Sequence, residues 1–367
     1  MPGRAGERDT GAIVKLVIFG LTISSAWGNG HATLWRGLCR ALGERGHDVT
    51  FYERDVPYYA AHRDMVDPAG CCLRLYGDWL EVRDEAARAS ADADVAMVTS
   101  YCPDGADASE LVLESTAQLR VFYDLDTPVT LARLRQGEQV PYLPAQGLSE
   151  FDLVLSYTGG RALDELKTRL GAQRVAPLYG SVDPDAHRPM AASQLLRNDL
   201  SYLGTYAADR QERLEQLFIE PARRRPDRKF VIGGSQYPLD FPWTQNIYYV
   251  SHLPPPQHPE FYSSSALTLN VTRGAMAEMG YCPSGRLFEA AACGTPILSD
   301  EWEGLDTFFE PGAEILIARN THEALDALEL PHDTLTRIAA AARERTLAEH
   351  TAACRARDLE NILSCGD

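Results

Sequence analysis

The run Gly280-Tyr281-Cys282-Pro283-Ser284-Gly285-Arg286-Leu287-Phe288-Glu289-Ala290-Ala291-Ala292-Cys293-Gly294-Thr295-Pro296 holds the residues best suited to chemistry in this 367-residue chain. A turn rich in Gly and Pro feeds a short apolar helix that carries one carboxylate and stops at Gly294. The N–H groups around Ser284, Gly285 and Arg286 would stand at the helix N-terminus, where aligned peptide dipoles favour an anion such as a diphosphate. Glu289, one turn further in, would accept hydrogen bonds from vicinal sugar hydroxyls. The plainer alternative is a capped core helix whose Glu289 faces solvent, and the local pattern alone does not choose between the two.

A second candidate is the loop Leu21-Thr22-Ile23-Ser24-Ser25-Ala26-Trp27-Gly28-Asn29-Gly30-His31. Gly28, Asn29 and Gly30 superficially suggest a dinucleotide-binding turn, with Glu53 at the end of the next strand as its ribose acid and an NAD-dependent oxidoreductase as the implied enzyme. In that fingerprint the first Gly follows the strand directly, whereas about seven residues separate Gly20 from Gly28 here. A loop of this length suits the lining of a cleft better; a purely structural turn is the remaining alternative. His31 opens the following helix, where the dipole disfavours the imidazolium and suits a neutral base, a hydrogen-bond partner or a simple cap. Asp124 and Asp126 lie where a strand ends, facing the ligand crevice of an open α/β sheet, so either could bind hydroxyls or act as a base. Asp126 could equally cap the helix that starts near Pro128.

These residues need strands and helices to hold them. Ile13–Gly20 is a continuous apolar run of the kind buried on both faces of a parallel sheet. A helix over 31–45 and strands over 49–53, 95–98, 120–124 and 153–156 follow, and this alternation predicts a doubly wound α/β domain over 13–182. Residues 1–12 read as a disordered tail. Two prolines and several charges within 183–189 break both periodicities, so 183–199 reads as a linker. A second α/β domain is expected over 200–340, with strands near 200–205, 230–234, 247–250, 267–270, 296–298 and 315–317. The Ala-rich end is expected to be helical.

Composition narrows the function classes. A chain of this length exceeds the size at which single cores stop growing. No apolar run reaches the roughly 18–20 residues that span a bilayer, and no signal-peptide pattern opens the chain, so a cytoplasmic protein is expected. Eight cysteines show no C-x-x-C spacing, which points to free thiols rather than zinc or disulfides. A net charge of −17 disfavours nucleic acid without excluding it, because phosphate neutralisation dominates such binding. The basic cluster Arg223-Arg224-Arg225, with Arg228-Lys229 beyond, reads as a solvated helix end.

The 280–294 run resembles the C-terminal nucleotide-sugar signature of GT-B glycosyltransferases. More closely it is similar to the spore-maturation CgeB-like group, where Gly-Tyr-x-Pro-Ser-x-Arg-Leu-Phe-Glu-Ala precedes a Cys-Gly pair and a Trp-x-Gly-Leu segment. Cys293-Gly294, Trp302-Glu303-Gly304-Leu305, Asn270-Val271-Thr272-Arg273 and the run from Leu203 to Arg210 fit as well, so the likeness covers most of residues 200–320. It implies two Rossmann-like domains facing across a cleft, with the helix from about 341 to 367 crossing back to the first. It further implies transfer of a sugar, with a UDP-sugar as the expected donor, to a small-molecule, glycan or other acceptor, with no cofactor and no metal. Arg210 resembles the phosphate-binding basic position, and Arg273 and Arg286 would join it in holding the leaving diphosphate. Related family 4 transferases carry a second glutamate eight positions before the ribose-binding one, and Tyr281 stands there instead. A nucleotide-binding or spore-coat-like protein without turnover is the alternative from another class.

Overall fold

The computed structural model describes residues 13–28, 30–251 and 253–365. The tail expected over 1–12 and the expected site residue Asn29 lie outside them. Seven parallel strands form the first sheet: β1 (Lys15–Gly20), β2 (Asp48–Arg54), β3 (Cys72–Tyr76), β4 (Val95–Thr99), β5 (Leu119–Asp124), β6 (Leu153–Ser156) and β7 (Val175–Pro177). Their order is β3-β2-β1-β4-β5-β6-β7. Six parallel strands form the second: β8 (Leu200–Leu203), β9 (Phe230–Gly234), β10 (Ile247–Ser251), β11 (Thr268–Asn270), β12 (Ile297–Ser299) and β13 (Leu316–Ile317), in the order β10-β9-β8-β11-β12-β13. The order reverses between β1 and β4 in one sheet and between β8 and β11 in the other. Open α/β sheets bind ligands in the crevice that such a reversal opens at the strands' carboxyl ends.

Helices cover both faces of each sheet, which is why the central strands carry apolar residues without alternation. Leu16, Val17, Ile18 and Phe19 of β1 are all buried, as are Leu200 and Tyr202 of β8. The edge strands look different. β3 exposes most of Cys72–Tyr76, and β7 is three residues ending in a proline, so neither has the apolar run that would announce it. Among the described residues no helix is long and apolar enough to cross a membrane.

The chain passes between the domains twice, and the two passages lie side by side. Val182 donates its amide to His350 O at 3.0 Å, and Ala352 returns one to Val182 O at 2.8 Å. The helix expected to begin at 341 does not begin there: one helix runs unbroken over His332–Glu349, and the crossing helix is Ala352–Ser364. The break falls at Thr351, whose hydroxyl accepts from the amide of Cys354 at 3.2 Å and so caps the new helix. The crossing helix buries Ala352, Ala356 and Leu359 in one apolar cluster with Trp35, Leu38 and Leu42 of the His31–Glu44 helix. Gly37 permits the approach, since a Cβ there would lie 3.3 Å from that of Ala352. Glu360 pairs with Arg45 and, at 2.6 Å, with His47.

His350 stands at this junction with its ring 4.6 Å from that of Phe288. The Arg355 guanidinium donates to its Nδ1 at 2.9 Å, which leaves Nε2 to donate to Phe308 O at 3.3 Å. Burial, then the Arg355 charge, hold its pKa down at about 4 against an ordinary 6.5. A depressed histidine pKa gives stability that is present above the unfolded value and lost as pH falls through the folded one. Burial acts oppositely on Asp124, whose carboxyl is pushed up to about 6, so its contribution is lost as pH rises through that value. His350→Gln should therefore remove up to about 3 kcal/mol of the destabilisation between pH 6.5 and 4. Urea unfolding of both proteins at several pH values measures it, and parallel pH profiles would refute it.

Candidate active site

Between the carboxyl ends of the two sheets lies a cavity of about 650 Å³. Its first wall is the loop after β1. Glu53 of β2, fully buried, holds that loop: its Oε2 accepts from the amides of Ile23 and Ser24 at 2.7 and 3.0 Å, and its Oε1 from the hydroxyls of Thr22 and Ser24 at 2.9 and 2.5 Å. The expectation that Glu53 could serve as the ribose acid of a dinucleotide site is thereby corrected, because both carboxylate oxygens are occupied by the loop itself. Gly28 (φ +68°) and Gly30 line the cavity, and a Cβ on Gly28 would lie 2.9 Å from the Tyr58 hydroxyl.

His31 and Asp126 meet on the same wall, with Nε2 3.7 Å from Oδ2. His31 opens the helix after the glycine loop and Asp126 precedes the Thr127–Arg135 helix, so each is set by a helix start at the carboxyl edge of the sheet. Tyr101, with φ +64°, packs its ring 5.5 Å from His31. Burial, then the Asp126 charge, raise the Tyr101 phenol and keep it a neutral hydrogen-bond donor. Asp124 does not reach this wall. It is fully buried, its Oδ1 accepts the Asp126 amide at 3.0 Å, and its carboxylate shapes the turn that presents Asp126. Of the two carboxylates only that of Asp126 lines the cavity.

The second wall is basic and dipolar. The Gly285–Ala292 helix begins at Ser284, and Ser284, Gly285, Arg286 and Glu289 all line the cavity. Arg210 ends a turn after β8 and Arg273 directly precedes the Gly274–Met279 helix. Arg210 donates to Thr205 O at 3.2 Å, and the Arg286 guanidinium lies 5.7 Å from the centre of the Tyr202 ring. Beyond these contacts, Arg210 Nε and Arg286 Nη1 are buried without a hydrogen-bond partner among the described residues. Burial, then the like charge of Arg286, lower the Arg210 pKa. Two half-buried cations that repel each other beside a helix N-terminus are the arrangement a diphosphate would relieve. Arg273 is more exposed and already meets Asp209 at 3.2 Å.

Tyr281, at the position of the missing glutamate, does not line the cavity. It sits at φ +47° with its amide bonded to Glu303 O and its carbonyl accepting from Gly159 of the first domain at 3.0 Å. Its ring lies against Gly160 and Gly304, where added Cβ atoms would come within 2.5 and 2.4 Å. The residue is a contact between domains.

Apart from Asp124 and Glu53, the expected site residues among the described ones line one cavity. It also takes in Tyr101, Tyr157, Thr205, Tyr206, Ser235 and His258, which the sequence did not single out. Tyr101, Thr205 and Ser235 each stand one or two residues beyond a strand's carboxyl end, a signal that was present at β4, β8 and β9. His258 carries no such mark.

A sucrose-phosphate synthase from Thermosynechococcus elongatus superposes with a TM-score of 0.71 at 13% identity, over 96% of this chain and 98% of that one. HepE of Anabaena, solved in complex with UDP and glucose, gives 0.68 at 11% identity over 96% and 100%. An alpha-glucosyltransferase solved with UDP-glucose and DNA containing an abasic site gives 0.68 at 12% identity over 96% and 100%. A protein of Syntrophotalea carbinolica named cobyrinate a,c-diamide synthase is 32% identical over 220 residues. That match takes in 54% of this chain and 43% of the relative, so the chain spans less than half of that protein's length. Residues 210–361 match the family model described as glycosyl transferase-like. The chain has the two-domain GT-B architecture of these structures, and the family match falls within its second half.

Proposed function

We propose that the protein transfers a sugar from a nucleoside diphosphate sugar, UDP-sugar first among them, to an acceptor hydroxyl held by the first domain. The observation that carries this reading is the pair of half-buried, incompletely partnered guanidiniums of Arg210 and Arg286 beside the helix start at Ser284. They face His31 and Asp126 across one cavity. The diphosphate lies against the arginines and the helix amides, and Glu289 accepts from the ribose hydroxyls. The acceptor oxygen bonds to the anomeric carbon as the bond to the diphosphate breaks. Its proton passes to the His31–Asp126 pair, and the developing negative charge on the leaving group meets Arg210, Arg286 and Arg273. The leaving-group charge is answered by guanidiniums, so the transfer step itself is proposed to need no metal. Solved structures of the same fold hold UDP or UDP-glucose, which supports the choice of nucleotide.

The acceptor is proposed to be a small molecule or glycan rather than nucleic acid. The basic cluster that would serve DNA is neutralised on the protein itself: Arg223 pairs with Glu215 at 2.5 Å, Arg224 with Glu220 at 2.7 Å, Arg225 with Asp227 at 2.9 Å and Arg228 with Asp199 at 2.9 Å.

A thermal-shift panel of nucleotide sugars tests the reading, followed by assay of sugar release from the donor that stabilises most. A donor at 100 times its Kd should add roughly 2.7 kcal/mol. Stabilisation without release would identify a binding protein, and no stabilisation by any nucleotide would refute the site. Within that test, Glu289→Gln should weaken nucleoside diphosphate binding by about 1.5–3 kcal/mol with little change in unfolding, since a charge-assisted bond becomes a neutral one. Calorimetry showing unchanged affinity would remove Glu289 from the ribose.

A further inference from the structure

We propose that His187, His258 and Glu289 form a binding site for a divalent transition-metal ion of the zinc class. One ligand atom from each lies within 4.8 Å of the other two, and His258 Nδ1 is 4.0 Å from Glu289 Oε2. Two imidazoles and one carboxylate, with the cavity supplying a water at the fourth position, make the open tetrahedral set that zinc favours. Bonds of 2.0–2.2 Å in a tetrahedron put ligand atoms roughly 3.3 Å apart, so side-chain rotations of about 1 Å close the site.

One observation points to an occupant independently of that spacing. His187 is 2% exposed, and both of its ring nitrogens are buried without a hydrogen-bond partner among the described residues. Leaving a buried imidazole without a partner costs free energy that a bound cation would recover. His258 Nε2 lies 3.1 Å from Leu253 O. A donor bond there fixes the tautomer with the lone pair on Nδ1, the atom nearest Glu289. Metal-binding histidines characteristically use their second ring nitrogen in this way.

The three residues come from separate parts of the chain. His187 sits in the segment joining the domains, its amide bonded to Asp183 O at 2.8 Å. His258 opens the His258–Ser263 helix, and Glu289 lies within the Gly285–Ala292 helix. An ion here would clamp the interdomain segment onto the donor-binding helix. It would also take one oxygen of Glu289 away from a ribose; this consequence, unlike the site itself, rests on the reading of Glu289 given above.

Titration of chelator-treated protein with Co2+, followed by its visible d–d absorption, tests the site, with Zn2+ expected to displace the signal. A single equivalent should give the intense band of a tetrahedral nitrogen and oxygen site. His187→Ala and His258→Ala should each weaken the affinity by at least about 100-fold, the upper end of what losing a merely supporting group costs. His258→Ala changes the cavity wall rather than a buried position, and urea unfolding verifies that each variant folds. Absence of the band, or equal binding by wild type and both variants, overturns the proposal. So does a thiolate charge-transfer band in its place, since Cys72 and Cys365 are exposed. If Co2+ binds and the variants lose it while UDP affinity is indifferent to the metal, the site stands and the ribose role of Glu289 falls.

Discussion

Asp126→Asn should keep near-normal nucleoside diphosphate affinity while lowering sugar transfer by about 10²–10⁴-fold, the range for loss of a positioned general base. Asp126 belongs to the first domain and meets His31 at 3.7 Å, whereas the proposed nucleotide contacts belong to the second. The neutral amide keeps the shape of the turn, because that turn is made by Asp124 Oδ1 accepting the Asp126 amide and not by the Asp126 side chain. Single-turnover rates with calorimetric binding separate the two quantities. Lost nucleotide binding would move the donor to the first domain; unchanged turnover would remove Asp126 from the chemistry.

A loss of binding as large as that of Glu289→Gln is expected at Arg210 and Arg286. Each would give up one or more charge-assisted bonds to phosphate, about 1.5–3 kcal/mol or roughly 10- to 150-fold in Kd. The loss should be confined to the diphosphate, leaving affinity for the bare nucleoside nearly unchanged. A second sign accompanies it. The two guanidiniums repel each other in the unliganded protein, and burial already works against Arg210 carrying charge. Arg210→Met should therefore raise the unfolding free energy of the free protein while weakening the donor complex, a trade between stability and function. Urea unfolding with and without UDP reads both signs at once. Equal losses for nucleoside and diphosphate would show that the arginines act by packing. Arg273→Ala should cost less, since Asp209 already partners it.

How far the sequence announced this arrangement depended on how local each signal was. The central strands were legible because burial on both faces demands continuous apolar runs, as in Leu16–Phe19 and Val121–Tyr123. β3 was not, because an edge strand may expose its side chains, and Arg74 and Leu75 do. The Gly285–Ala292 helix was legible from its Pro-Ser-Gly start and its Gly294 stop. His187 and His258 were not: they are 71 positions apart, so only the packing of the linker against a helix brings them to Glu289. Asp124 shows the converse, a residue correctly placed at a strand end whose side chain turns inward, because the next residues need a carboxylate to fold the turn. Glu53 is a similar case: its position fits a ribose acid, but the hydroxyls and amides of residues 22–24 reach it first.

The paired passages at Val182 and at His350–Ala352 have a mechanical consequence. Two rigid bodies tethered at well-separated points keep at most the axis through those points, whereas tethers that coincide act as a single joint and restrict rotation less. Here the two strands of the tether are bonded to one another, so they act as one pin. Any rotation of one domain against the other turns about that joint and must carry or break the second contact, where Gly159 donates to Tyr281 O. Such a joint also sets a lever arm: a small rotation at Val182 sweeps the two walls toward each other by an amount that grows with their distance from it.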